Sequence, residues 1–201
     1  MVTKISKAIS GGFVVFFSLS GFAQSASVNG SYHWWRGKEK IPLELVSDHV
    51  VDFAPSESQN PASQSLKPLS IKKLRGGVQV LKYTKADFSK AMMAKSVANQ
   101  RTSPLFRQGG ELIAFSGGVV VTFRAGVTES KVREFCAQQG LVLKRKYTLT
   151  EEQQIWVVDS PAGLESLNLA NELSENQSNL IEVARPSFWQ PLDTRELKSV
   201  R

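Results

Sequence analysis

Between residues 118 and 187 the spacing of apolar side chains changes several times, and each change marks a new element. Val119, Val121 and Phe123 alternate with Val120 and Thr122, the two-residue period of a strand. The period then lengthens. Thr128 is placed to cap a helix, Glu129 falls in its first turn, and Val132, Phe135, Cys136 and Gln139 share one stripe before Gly140 stops it. Residues 141–147 (LVLKRKY) and 154–160 (QIWVVDS) read as two strands joined by a polar loop. A second helix is expected over 164–175, where Leu167, Ala170 and Leu173 recur, and residues 180–187 (LIEVARPS) close the unit with a strand. The order β-α-β-β-α-β predicts an α+β fold, a ferredoxin-like plait with an open antiparallel sheet and two helices.

Upstream, the pattern predicts a small β-rich segment. Over residues 24–54, Tyr32 and Trp34, then Ile41, Leu43 and Leu45, alternate about a turn at Arg36-Gly37-Lys38, and residues 49–53 suggest a further strand. Residues 55–77 open with a run of Ser, Pro, Gln and Asn and read as a linker. Residues 78–117 predict a strand (78–83), a helix (86–98, with Phe88 and Met92) and a hairpin about Gly109-Gly110, all packing on the plait. The aromatic cluster of the leader and the helix methionines are read as packing residues.

The first residues have another purpose. Lys4 and Lys7 precede an apolar run over 8–22, too short and glycine-interrupted for a membrane span, and small residues flank Ala23. A signal peptide over residues 1–23 is therefore expected, with a secreted (periplasmic or extracellular) product and no stable membrane insertion after cleavage. The one cysteine, Cys136, excludes an internal disulfide and lies on the apolar stripe, where it should act as a small hydrophobe.

The net charge of +7 favours acidic partners, but the basic residues are dispersed. Lys144, Arg145 and Lys146 alternate across a strand, so at most two share a face, and no nucleic-acid partner is expected. The two histidines, His33 and His49, stand without clustered cysteines, so no metal site is expected. No glycine-rich phosphate cradle occurs, and no cofactor is expected.

The residues of the last unit carry a resemblance. VVVTFRAGVTESKVREFCAQQGLVLKRKY (119–147) resembles the opening of subtilisin propeptides, and LIEVARPS resembles their closing strand through Glu182, Ala184 and Pro186. Arg185 departs from the pattern, standing where an acid is usual. Residues 32–45 and Ser103-Pro104-Leu105-Phe106 look like the leader of the longer bacterial subtilase precursors. The triad that such a protease needs is absent: neither histidine has the H-G-T context, Asp193-Thr194-Arg195 lacks the glycine of D-T-G, and there is no G-T-S-x-A segment. The resemblance implies a non-enzyme that binds and inhibits a subtilisin-like serine protease, with assistance to that protease's folding as an additional role. It implies docking through the open sheet face, with Glu151 and Glu152 as acids capping helix ends on the protease. The C-terminal tail, residues 188–201, would enter the substrate cleft through Phe188, Trp189, Gln190, Pro191, Leu192 and Asp193. Two other readings stand beside it: the severed prodomain of a precursor, and an envelope adaptor that binds proteins.

Overall fold

The computed structural model describes residues 31–54, 66–99, 101–148, 153–176 and 179–191. The expected signal peptide and its cleavage site lie outside them. The described residues belong to one compact unit. It is α+β, with an antiparallel nine-stranded sheet and three α-helices among the described residues.

The unit begins with a hairpin. Strand β1 (Tyr32–Arg36) turns at Gly37-Lys38 into β2 (Glu39–Asp52), with Trp34 opposite Ile41. The expected third leader strand is the far half of β2, whose register shifts between Val46 and Val50. There follow β3 (Ser70–Lys73), β4 (Gln79–Lys82), helix α1 (Lys85–Asn99) and β5 (Thr102–Gln108). Strand β3 lies within the expected linker. It is short and largely exposed, and its pairing with β4 is what holds it.

Strand β6 (Glu111–Phe123) joins the two halves of the protein. Its first residues pair with β5 about the Gly109-Gly110 turn, and Val119–Thr122 pair with β8. The boundary expected at residue 118 thus falls inside one strand. A bulge between Phe115 and Val119 re-aims it, with Gly117 at φ 94°. An added Cβ there would stand 3.0 Å from the Ser160 carbonyl oxygen, so the bend is built around a missing side chain.

The last elements are α2 (Glu129–Gln138), β7 (Leu143–Tyr147), β8 (Ile155–Val158), α3 (Leu164–Asn176) and β9 (Ile181–Trp189). The strands run β7-β8-β6-β9, every neighbour antiparallel. Alternation puts Val119, Val121, Phe123, Trp156 and Val158 on one face, where Val132, Phe135 and Cys136 of α2 and Ala170 and Leu173 of α3 bury them. Burying one such aliphatic or aromatic side chain stabilises by roughly 1.5–3 kcal/mol, so this stripe is what holds the helices to the sheet. A neighbouring core gathers Trp34, Phe106, Ile113 and Phe115 around Leu167 of α3. Helix α3 therefore bridges the upstream hairpin and the final sheet.

Candidate protein-docking face

The helices cover one side of β7-β8-β6-β9, which leaves the other side as the candidate surface. Side chains directly opposite in adjacent strands point the same way, so the register lays out that face row by row. Arg145 stands opposite Val157, Val157 opposite Val120, and Val120 opposite Arg185. The next row is Tyr147, Ile155, Thr122 and Val183. Ile155 is buried; Val120, Thr122, Val157 and Val183 are half-buried; Arg145, Tyr147 and Arg185 are exposed. The face has an apolar middle and a cationic residue at each end of one row.

Local chemistry orders the rim. The Arg145 guanidinium lies 4.5 Å from the Tyr147 ring centroid and donates to the Tyr147 hydroxyl. Its two lysine neighbours are used elsewhere: Lys144 pairs with Asp159 at 2.7 Å, and Lys146 with Glu129 at 2.8 Å. The alternation expected for 144–146 holds for Arg145 and Lys146, which face opposite sides of the sheet, whereas the register shift between Leu143 and Arg145 puts Lys144 in an irregularity of β7. At the base of the β7–β8 loop, Gln153 Nε2 donates to Glu182 Oε2 at 3.2 Å. Glu151 and Glu152, expected as helix-capping acids, lie outside the described residues.

The expected tail divides at a different point. Strand β9 continues to Trp189, with Phe188 opposite Phe115 and Trp189 opposite Ala114. The Phe188 ring lies 5.8 Å from that of Phe115, and the Trp189 ring 5.9 Å from that of Phe53. Phe188 and Trp189, expected in the tail, are thus strand residues, half-buried and packed against two cores. Gln190 is exposed and Pro191 half-buried, both past the strand, while Leu192 and Asp193 lie outside the described residues.

The remaining reactive groups do not converge. His33 Nε2 is 3.8 Å from Glu175 Oε1 on α3, whereas His49 contacts its neighbour Asp48. Among the described residues no three His, Cys, Asp or Glu side chains are grouped to hold a metal. Burial pushes the Cys136 thiol above its ordinary pKa, which disfavours the reactive thiolate. An open cavity of about 460 Å³ lies beside the β6 bulge, with Lys144 and Asp159, already paired, in its lining. No described helix is long and apolar enough to cross a membrane.

The rows of the open face were only half legible beforehand. Alternation separates Val120 and Thr122 from the core face, and it separates Arg145 from Lys146. Which residues of β7, β8 and β9 stand beside them depends on register, which a single strand does not encode. Comparison with known proteins adds no relative: no family model, no curated protein and no solved structure matches the chain.

Proposed function

We propose that residues 118–187 form a ferredoxin-like plait of the subtilase-propeptide kind, and that the protein is a secreted, non-catalytic inhibitor of a subtilisin-like serine protease. The order β9-β6-β8-β7, with α2 and α3 packed on one face, supports the plait. The observation that carries the functional reading is the face opposite α2 and α3, with its half-buried Val120, Thr122, Val157 and Val183. A face of this composition suits a protein partner: apolar at the centre, polar at the rim.

In this reading the sheet face docks away from the protease's catalytic centre, and Glu151 and Glu152 contact helix N-termini on the partner. Phe188 and Trp189 anchor β9. The segment from Gln190 through Asp193 leaves the sheet and occupies the cleft as a product would, with Pro191 resisting cleavage. The interface required is of ordinary size, on the order of 1,600 Å² in total.

Steady-state kinetics of subtilisin-like proteases from the same source, with and without the purified protein, test the proposal. Competitive inhibition of at least one is expected. If every such protease turns over its substrate unaffected, the inhibitor reading is wrong, and the face serves another protein.

A further inference from the structure

The open face carries charge in an arrangement that defines its partner. Arg145 and Arg185 terminate the row whose middle is Val157 and Val120. Three strand spacings separate them, about 14 Å at the usual distance between neighbouring strands. Both side chains are exposed. Neither has a carboxylate partner among the described residues, although other cations nearby do: Lys144 pairs with Asp159, and Lys146 and Arg133 pair with Glu129. Arg145 is also held in place by stacking on Tyr147, so little freedom is lost when its guanidinium meets an anion.

Two exposed cations with no carboxylate partner among the described residues set up a positive potential across the valines between them. The chain's net charge of +7 adds to it. A partner with lysines opposite these positions would meet repulsion at both ends of the apolar strip. One with carboxylates there would form two charge-assisted, planar contacts of the kind arginine makes best. We propose that Arg145 and Arg185 are the specificity determinants of the open face. They select a protein surface whose apolar ridge is flanked on both sides by carboxylates about 14 Å apart. This rests on the reading of the face as a docking surface, and it specifies the chemistry of what docks.

The face can be tested with no protease present. Two synthetic helical peptides serve as probes, each with a leucine ridge, one flanked by glutamates and the other by lysines. They are titrated into isotope-labelled protein beginning at Gln24. The glutamate peptide should shift the amides of Val120, Val157 and Arg185, and the lysine peptide should not. Arg145→Gln and Arg185→Gln should each weaken the glutamate peptide by up to about fivefold, the range for an exposed ion pair. The double charge reversal, Arg145→Glu with Arg185→Glu, should transfer the preference to the lysine peptide. Both arginines are exposed, so circular dichroism should be unchanged in every variant. No shift with the glutamate peptide, or equal shifts from both peptides, overturns the inference.

The same variants, assayed on an inhibited protease, separate the two proposals. Selective glutamate-peptide binding by a protein that inhibits no subtilisin-like protease removes the inhibitor reading and leaves the charge selection standing. Inhibition unaltered by the arginine variants, with no peptide selectivity, does the reverse.

Discussion

Phe188 in β9 packs edge-on against Trp34 in β1, with 4.9 Å between the ring centroids and 66° between the planes. Aromatic residues from the first and the last described strand thus share one core. Trp34 Nε1 also donates to Gln108 Oε1 at 2.9 Å, which ties the same ring to the end of β5. A double-mutant cycle on Trp34→Ala and Phe188→Ala should yield a coupling of about 0.5–1.5 kcal/mol, as for other edge-to-face pairs. Phe188→Ala alone should cost about 2–3 kcal/mol, somewhat under the value for a fully buried phenylalanine. Urea denaturation of the four proteins supplies the numbers, and a coupling near zero would mean that the two rings are held independently.

The packing of β9 separates stability from inhibition along the chain. Ending the protein after Trp189 should leave its denaturation midpoint within error of the full chain, because the truncation spares every β6–β9 pair. Competitive inhibition should nevertheless disappear, with weaker binding to the protease retained. Ending it after Ser187 should lower stability as well, through loss of the Phe188 and Trp189 contacts. Titration calorimetry beside kinetics distinguishes the two truncations. Competitive inhibition that survives truncation after Trp189 would place the cleft-filling residues elsewhere.

The uneven legibility of this sequence has physical reasons. Val119, Val121 and Phe123 alternate cleanly because one face is buried and the other is not, and the Thr128 cap and Cys136 stripe follow from local geometry. Strand β3 shows no such alternation, since Ser70–Lys73 buries little and depends on β4. Ser116-Gly117-Gly118 reads as a break between elements, yet it is a bulge inside β6. The expected closing strand ends at Ser187, yet β9 pairs Pro186 with Val119 and continues through Phe188 and Trp189. The Arg145–Arg185 row is a product of three strand pairings at once, so no local pattern carries it.

A single methyl group should expose how closely the α3 entry abuts β5. Gly163 has φ +85°, and a Cβ built on it would lie 2.7 Å from the Thr102 carbonyl oxygen. Its N–H also donates to the Phe115 carbonyl at 2.9 Å, so the loop has little room to retreat. Gly163→Ala combines left-handed backbone strain with a backbone clash and should cost about 2 kcal/mol or more. Gly126→Ala is a matched control, because its φ of +80° is similar and nothing lies within 4 Å of the added carbon. Equal losses in urea denaturation would assign the cost to the backbone angle alone.

Glu129 should give the acid limb of the stability profile. Its Oε1 accepts from Arg133 Nε at 2.9 Å and Nη2 at 2.7 Å, and its Oε2 from Lys146 Nζ at 2.8 Å. The two cations it holds bracket Trp156, with Arg133 at 5.2 Å and Lys146 at 5.7 Å from the ring centroid. The hydrogen bond from Lys146, followed by that from Arg133, holds the Glu129 carboxyl below its ordinary pKa. The unfolded chain therefore binds more protons at this residue than the folded one between the folded and unfolded pKa values. The stabilisation is fully present above the unfolded value and is lost as pH falls through the folded one. Wild type and Glu129→Gln should accordingly differ most in stability near neutral pH and converge in the acid range below the ordinary glutamate pKa. High salt should shrink the gap, because these groups are in contact with solvent. Denaturation midpoints across a pH series, read beside the NMR titration of the Glu129 carboxyl, check both the sign and the assignment. A Glu129 that titrates at or above the ordinary glutamate value would show that this cluster does not form in solution.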